Sequence, residues 1–380
     1  MKCPYMKKCG GCQNIHLPYQ EQLKKKEETV RHLLKGYGKI EPILGMEDPY
    51  YYRNKVHHVV CQDKKGIGYT GIYEEKSHRV VRIDECLIEN KKADEICASI
   101  ASLMKSFKMK AYNEDTGYGF LRHILIRTGH ATGQILLVLV VASPVFPSKN
   151  NFVKALRKLH PEITSIVANI NNRGTSMILG EKQQVLYGKG YIEDILCGKR
   201  FRISPKSFYQ INSVQTEVLY GKAIEYAGLS GKETVIDAYS GIGTIGMVAS
   251  DHAREVLSIE LNGEAVRDAV ANAKMNKIGN IRFVKADAGD YMVRMAAQKQ
   301  KADLVFMDPP RAGSDKRFIE SVVKLGPKKV VYISCNPETL KRDLGMFVSR
   351  NYKVEKIQPV DMFPGTSSIE CVCLLTKRNA

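Results

Sequence analysis

The sequence predicts an α/β half built on a parallel sheet, preceded by an α+β half, with the boundary near residue 200. Three observations predict it. From Thr234 onward short apolar runs (TVIDAY, EVLSIE, IRFVKAD, ADLVFMD, KKVVYIS) alternate with helical stretches, the pattern of parallel strands covered on both faces. Between Asn54 and Ile170 strand-like runs separated by polar, glycine-containing turns are interrupted by only two helical segments. The chain of 380 residues is long enough for two domains, here residues 1–199 and 200–380.

In chain order, a cysteine-rich start leads into a helix from about Tyr19 to Lys35. Leu23, Val30, Leu33 and Leu34 give it an apolar side, and Gly36 is its expected stop. Strands follow in NKVHHVVC, GIGYTGIY and HRVVRI, then a helix over Lys91–Lys105 and strands over Arg122–Thr128 and Gln134–Val141. A helix over Asn150–Leu159 and a strand over Ile163–Ile170 close the first half. At the far end, Lys353–Pro359 and Glu370–Thr376 have no helix between them and are expected to pair as an antiparallel hairpin at the sheet edge.

Charge narrows the function. Fifty-eight Lys and Arg against 40 Asp and Glu leave a net +18, a surplus that favours a polyanion, above all nucleic acid, over a small neutral ligand. No apolar run approaches the roughly 18 residues of a spanning helix. The start MKCPYMKKCGGC has no apolar segment of a secretory signal, so a cytoplasmic protein is expected.

Thr234–Tyr239 runs into Ser240-Gly241-Ile242-Gly243-Thr244-Ile245-Gly246, a G-x-G-x-x-G loop between strand and helix. Such glycines allow a sharp turn and close approach of a ligand, whether dinucleotide or another adenosyl cofactor. Glu260, ending the next strand, suits ribose hydroxyls in either case. Three acids favour S-adenosylmethionine (SAM). Asp237, just before the glycines, suits a cationic amino-acid end and would repel a pyrophosphate. Asp287 closes the third strand, placed for an adenine, and Asp308 opens Asp308-Pro309-Pro310-Arg311 after the fourth. The plain alternative is that these acids cap the helices that follow. A nicotinamide oxidoreductase is disfavoured by Asp237 and Asp308.

The fifth strand delivers Ser334-Cys335-Asn336-Pro337. A cysteine at a strand's carboxyl end, before a helix, stands at the rim where ligands bind, and the helix N-terminus is expected to lower its pKa. A thiolate beside SAM has a specific use. Added to C6 of a uracil, it makes C5 nucleophilic enough to take a methyl group, after which a base must remove the C5 proton. Glu370, at the start of the last strand beside Ile369 and Val372, is the candidate base; an edge-strand charge is the alternative.

These residues resemble one family closely. Ser204-Pro205-Lys206-Ser207-Phe208-Tyr209-Gln210-Ile211-Asn212, Asp237-Ala238-Tyr239-Ser240-Gly241-Ile242-Gly243, Asp308-Pro309-Pro310-Arg311, Ser334-Cys335-Asn336-Pro337 and Glu370 match, in order, the motifs of the RNA uracil-5 methyltransferases. The resemblance implies a Rossmann-like SAM-dependent methyltransferase domain behind an α+β RNA-binding domain. It implies Cys335 as nucleophile and Glu370 as base, with Gln210, Tyr239, Glu260 and Asp308 around SAM. Where the family usually carries a histidine after Phe-Pro, and often another before the glutamate, this chain has Gly365 and Ser368. A cytosine-5 methyltransferase would place a cysteine where Arg311 stands. A non-catalytic relative would lack Cys335, Glu370 or the glycines.

Cys3, Cys9 and Cys12 are spaced for one centre, with Gly10-Gly11 permitting a tight wrap, and Cys86 is the chosen fourth ligand. Four thiolates suit zinc or an iron–sulfur cluster. The resemblance implies a [4Fe–4S] cluster and, because the cluster motif is typical of the rRNA branch, 23S rRNA rather than tRNA as partner. The remaining cysteines, Cys61, Cys97, Cys197, Cys371 and Cys373, read as core. Tyr50-Tyr51-Tyr52-Arg53-Asn54-Lys55 interleaves aromatic and cationic side chains, and Phe120-Leu121-Arg122-His123 matches a further family motif. Tyr52, Arg53, Lys55, Phe120, Arg122, His123 and Arg311 are therefore expected to contact RNA. Many members begin with a small oligonucleotide-binding barrel, the TRAM domain; here Cys3 is nearly the first residue, so binding is expected to rest on the central domain.

Overall fold

The computed structural model describes residues 2–75, 77–174 and 177–378. The chain forms two compact units. One comprises Met1–His16, Pro49–Ile195 and Arg202–Lys206; the other comprises Leu17–Asp48, Leu196–Phe201 and Ser207–Ala380. A single cut at 199/200 leaves Leu17–Asp48, with the helix Tyr19–Leu33, in the first half, whereas its contacts group it with the second.

The first unit holds a seven-stranded sheet in the order Val80–Arg82, Gly68–Tyr73, Lys55–Gln62, Leu121–Thr128, Ile135–Val141, Ile163–Ile170, Lys182–Tyr187. Neighbours are antiparallel except Ile135–Val141 and Ile163–Ile170, which run parallel because the helix Lys149–Leu159 carries the chain back between them. Val56, Ile124, Ile126, Leu137 and Leu139 point to one face and meet Ile96, Ile100 and Met104 of the helix Lys91–Ser106 and Phe152 and Leu156 of the second helix. Asn90 caps the first of these helices, accepting from the amides of Lys92 and Ala93.

The second unit holds an eight-stranded sheet in the order Lys39–Ile40, Tyr352–Val360, Glu370–Lys377, Lys329–Ser334, Leu304–Met307, Thr234–Ala238, Glu255–Glu260, Ile281–Lys285. The last five in this row are parallel. The chain moves outward from Thr234–Ala238 through two strands, then returns to its other side with Leu304–Met307. The order therefore reverses between those two strands, and open α/β sheets bind ligands in the crevice beyond such a point.

The terminal hairpin is antiparallel as expected, but it is not the edge. Glu370–Lys377 inserts beside Lys329–Ser334, and the short strand Lys39–Ile40 pairs with the outer face of Tyr352–Val360. A two-residue strand is too short to show as a pattern. The helix Ser213–Ala227 was also not marked by periodicity. It buries Gln215, Thr216, Leu219, Tyr220, Ala223 and Tyr226 together, so it has no single apolar stripe, yet its Asn212 cap and Gly228 stop stand in the sequence. Among the described residues no helix is long and apolar enough to cross a membrane.

Candidate active site

Register places the chemistry. Met307 lies opposite Tyr332, and Ser334 opposite Cys371 on the antiparallel strand. Asp308 follows Met307, Cys335 follows Ser334, and Glu370 precedes Cys371. The three side chains therefore leave adjacent strands at the same rim, next to the crevice. The pairing of Val360 with Glu370 fixes the glutamate from its other side.

Three loops are tied together there. The Arg311 carbonyl accepts from Asn336 Nδ2 and from Thr339 Oγ1, each at 3.2 Å, and the Arg311 guanidinium reaches Ser368 Oγ at 3.5 Å. Asp343, wholly buried, accepts from the Ser314 amide at 2.8 Å and from Tyr332 Oη at 2.6 Å. Arg342 donates to the carbonyls of Ala312 and Ser314. The loop after Asp308 is thus held at both its carbonyl and amide groups.

Electrostatics at this rim differ from the expectation for Cys335. Its thiol is pushed up to about 11, first by burial, then by Glu370 and Asp308, with Arg311 opposing. Burial and the two carboxylates outweigh the stabilisation expected from the helix start, where Asn336 is the cap and Pro337 the first helical residue. Burial raises Asp308 to about 7, and burial followed by the Asp308 charge holds Glu370 well above the usual carboxylate range. Glu370 is 3% exposed and its Oε2 accepts no hydrogen bond among the described residues. Two carboxyl groups on the strands that flank Lys329–Ser334, which resist ionising together, are a source of a proton acceptor near neutral pH.

The glycine loop is built from below. Asp237 is 1% exposed, and its Oδ2 accepts from the Gly246 amide at 2.9 Å and Ser258 Oγ at 3.4 Å. A Cβ at Gly246 would lie 2.7 Å from that oxygen, so only glycine fits. Burial raises Asp237 to about 7. Glu260 accepts from the Gly241 amide at 2.9 Å and the Asn262 amide at 2.7 Å, one per oxygen, which leaves each oxygen a further acceptor site for a ribose hydroxyl. Gly241 and Gly243 have φ of 56° and 83°. Tyr239 shares that left-handed region at φ 66°, a strained setting for a non-glycine residue, with its ring against Phe318. Gln210 is buried at the start of this region. At Asp287 the capping alternative holds, because its carboxylate accepts from the Asp290 amide and starts the helix Ala288–Ala297. Asp308 caps nothing, since the next helix starts at Lys316 with Asp315 as its cap.

In the other unit, the cysteine loop and the segment around Cys86 share an environment. The thiols of Cys3 and Cys9 both raise that of Cys12, which burial pushes up to about 12. Glu89 acts on Cys9, Cys12 and Cys86 alike. The Gly11 amide donates to Cys9 Sγ at 3.4 Å, and the Ile88 and Glu89 amides bond the Cys86 thiol. Tyr5 Oη accepts from the Asp84 amide at 3.0 Å, linking the loop to the segment carrying Cys86. Of the other cysteines, Cys97, Cys371 and Cys373 are buried as expected, whereas Cys61 and Cys197 are half-buried.

Most expected RNA contacts in this unit are committed to the fold instead. Arg122 is 3% exposed. Its guanidinium donates to the carbonyls of Asn171 and Arg173 and, bidentate, to Glu114, and it lies over the Tyr112 ring. The Phe120 ring meets Phe146 edge-on against the core. His123 and Tyr52 are buried, and burial lowers His123 to about 3. At Phe120–His123 the reason is that a strand opening with Phe-Leu-Arg-His shows alternation, not which face another layer covers. The Arg53 backbone forms an isolated parallel β-bridge with Glu89, and Lys55, lowered to about 8 by burial and the charges of Arg127 and Arg53, remains partly accessible. Arg311 is exposed at the rim that carries Cys335. Phe208, which the sequence reading did not single out, presents a 64%-exposed ring within the Ser204–Asn212 motif.

Comparison with known proteins places the chain in a family. Residues 18–378 match the family model described as tRNA (uracil-5-)-methyltransferase. The chain belongs to that family. An uncharacterized RNA methyltransferase of Clostridium acetobutylicum is 42% identical over 99% of this chain and 83% of its own length. One of Halalkalibacterium halodurans is 40% identical over the same shares. Among solved structures, the Pyrococcus abyssi tRNA (uracil-54, C5)-methyltransferase in complex with S-adenosyl-L-homocysteine matches with a TM-score of 0.82 and 27% identity, covering 97% of this chain and 86% of that one. The uracil-5 methyltransferase is therefore a SAM-dependent enzyme acting on RNA, with a Rossmann-like catalytic domain.

Proposed function

We propose that this methyltransferase acts on C5 of a uridine in structured RNA, 23S rRNA, through a covalent Cys335–C6 adduct. The observation that carries the proposal is the register that sets Cys335 beside Glu370 and Asp308 at the rim of the crevice. SAM, when bound, supplies the methyl group. Cys335 loses its proton to solvent and its sulfur bonds to C6, which turns the ring into an enolate nucleophilic at C5. After C5 has gained the methyl group, the Glu370 carboxylate takes the C5 proton, the C6–S bond breaks, and the thiolate is restored. Arg311, whose charge favours the Cys335 thiolate, also lies where it can meet the RNA backbone.

Gln210, Tyr239, Gly241, Gly243 and Glu260 would hold SAM over the glycine loop. Asp237 shapes that loop and would supply negative charge beneath the cationic end, and Asp287, at the end of the third strand, would meet the adenine. C5 and C6 of a stacked base are inaccessible to this rim, so the target is unstacked before reaction.

Cys3, Cys9, Cys12 and Cys86 would hold a [4Fe–4S] cluster. Four thiols are the donor type such a cluster takes, and amide–sulfur hydrogen bonds at Cys9 and Cys86 are of the kind that tune one. The cluster would brace the cysteine loop, since methyl transfer moves no electron. Lys55 and Arg53 beside it are the RNA contacts retained for this unit.

A second substrate, tRNA, is favoured by the likeness to the Pyrococcus abyssi enzyme. The test is transfer of labelled methyl from SAM to unmodified 23S rRNA and, separately, to unmodified tRNA, followed by nucleoside digestion. Label in 5-methyluridine from rRNA alone is expected; label from tRNA alone would replace the substrate assignment.

A further inference from the structure

The helix Tyr19–Leu33 buries a polar stripe. Gln22 is 5% exposed and Lys26 2%, in line with the wholly buried Val30. Lys26 Nζ lies 2.6 Å from Asp361 Oδ1, and both side chains are sequestered. Nζ also donates to the Phe363 carbonyl at 3.0 Å, and Tyr19 Oη donates to Asp361 Oδ2 at 3.0 Å. Gln22 Oε1 accepts from the Gly365 amide at 2.8 Å, where φ is 84°. Within the turn, Asp361 Oδ1 accepts from the Phe363 amide, and Thr366 Oγ1 bridges the Phe363 carbonyl and the Ser368 amide. One helical face therefore grips the turn 361–366, which leads directly into Glu370.

A buried ion pair is a poor way to gain stability, since an apolar pair of similar volume does as well or better. It does fix geometry. Glu370 needs fixing, because its Oε2 has no hydrogen bond of its own among the described residues. Its carboxylate is placed by its backbone, and the turn ahead of that backbone is held by the helix.

We propose that Lys26 and Gln22 are positioning residues for Glu370, holding the Asp361–Thr366 turn so that the carboxylate stands over the proton to be removed. The inference rests on Glu370 being the base. A displacement near 1 Å costs about 100-fold in a positioned proton transfer.

The test uses single-turnover reactions with the unmodified transcript that accepts label. The readout is the denaturant-stable methylated enzyme–RNA adduct, its rate of formation separated from its rate of release. Gln22→Ala and the double variant Lys26→Met/Asp361→Asn are compared with wild type and with Glu370→Gln. The double variant leaves no lone buried charge, and Gln22→Ala keeps the test available if it fails to fold. Expected is adduct formation near the wild-type rate with release slowed about 10- to 100-fold, so that adduct accumulates as it does in Glu370→Gln. Formation and release slowed equally, or both unchanged, in folded variants would overturn the positioning role. Accumulation in Glu370→Gln without it in the helix variants would overturn the inference alone. No accumulation in Glu370→Gln would remove the base assignment and the inference with it.

Discussion

Asp237→Asn isolates the charge of one buried carboxylate from its shape. An asparagine oxygen can still accept the Gly246 amide that Asp237 Oδ2 holds at 2.9 Å, so the loop keeps its scaffold. The charge is what changes. Asp237 is 1% exposed, and burial raises it from its ordinary value of 3.8 to about 7. Because the folded pKa lies above the unfolded one, the native state binds the proton more tightly, and stability falls as pH rises from about 4 to about 7. Above that the loss is complete. At about 1.4 kcal/mol per pH unit it is capped at about 4 kcal/mol. The variant escapes this loss. In thermal melts without SAM, Asp237→Asn should match wild type near pH 4 and melt several degrees higher at pH 8. Calorimetry at pH 8 should show SAM binding weakened by roughly 10-fold or more, the scale of a lost charge-assisted contact. A variant less stable than wild type throughout pH 5–8 would refute the argument that burial of this charge is what the native state tolerates for its ligand.

Four further outcomes follow from the same geometry. Gly246→Ala places a Cβ 2.7 Å from Asp237 Oδ2 and 2.6 Å from Ser258 Oγ, so SAM affinity should fall by at least 10-fold in equilibrium dialysis, while a surface change such as Gly36→Ala should leave it unaltered. With Asp308 near 7, Glu370 raised and Cys335 near 11, the single-turnover methylation rate should still climb between pH 6 and pH 9; a plateau already reached at pH 5.5 would contradict those shifts. Anaerobically purified protein should be brown with broad absorbance near 400 nm, and Cys86→Ala should lose iron; colourless protein with stoichiometric zinc would exclude the cluster. Arg122→Ala removes the partner of Glu114, of the buried Asn171 carbonyl and of the Arg173 carbonyl, so it should lower the melting temperature by a few degrees, the consequence of about 1–3 kcal/mol for the carbonyl left unpaired, rather than weaken RNA binding in a folded enzyme.

What the sequence revealed tracks what is local. The parallel strands, their terminal acids, the glycine loop and the Cys335 rim are each encoded within a few residues, and the structure brings them to one edge. Glu370 was legible as a carboxylate opening the last strand, but its place beside Cys335 was not, because it depends on the long-range pairing of Ser334 with Cys371. The insertion of the last strand inside the sheet, with Lys39–Ile40 outside, depends on a two-residue element that leaves no pattern. The raised pKa of Cys335 was not legible because burial and the approach of Glu370 and Asp308 are products of the tertiary fold. Arg122, His123 and Phe120 read as ligands because cationic and aromatic side chains look alike whether a sheet face is covered or open. Nothing local announces that the partners of Lys26 and Gln22 lie more than 300 residues away.

The most direct test of the central claim is adduct formation with RNA carrying 5-fluorouridine at the methylated position. Fluorine cannot leave as the C5 proton does, so wild-type enzyme with SAM should be trapped as a denaturant-stable adduct that maps to the Cys335 peptide, and Cys335→Ala should form none. An adduct that persists in Cys335→Ala, or maps to another cysteine, would contradict the account.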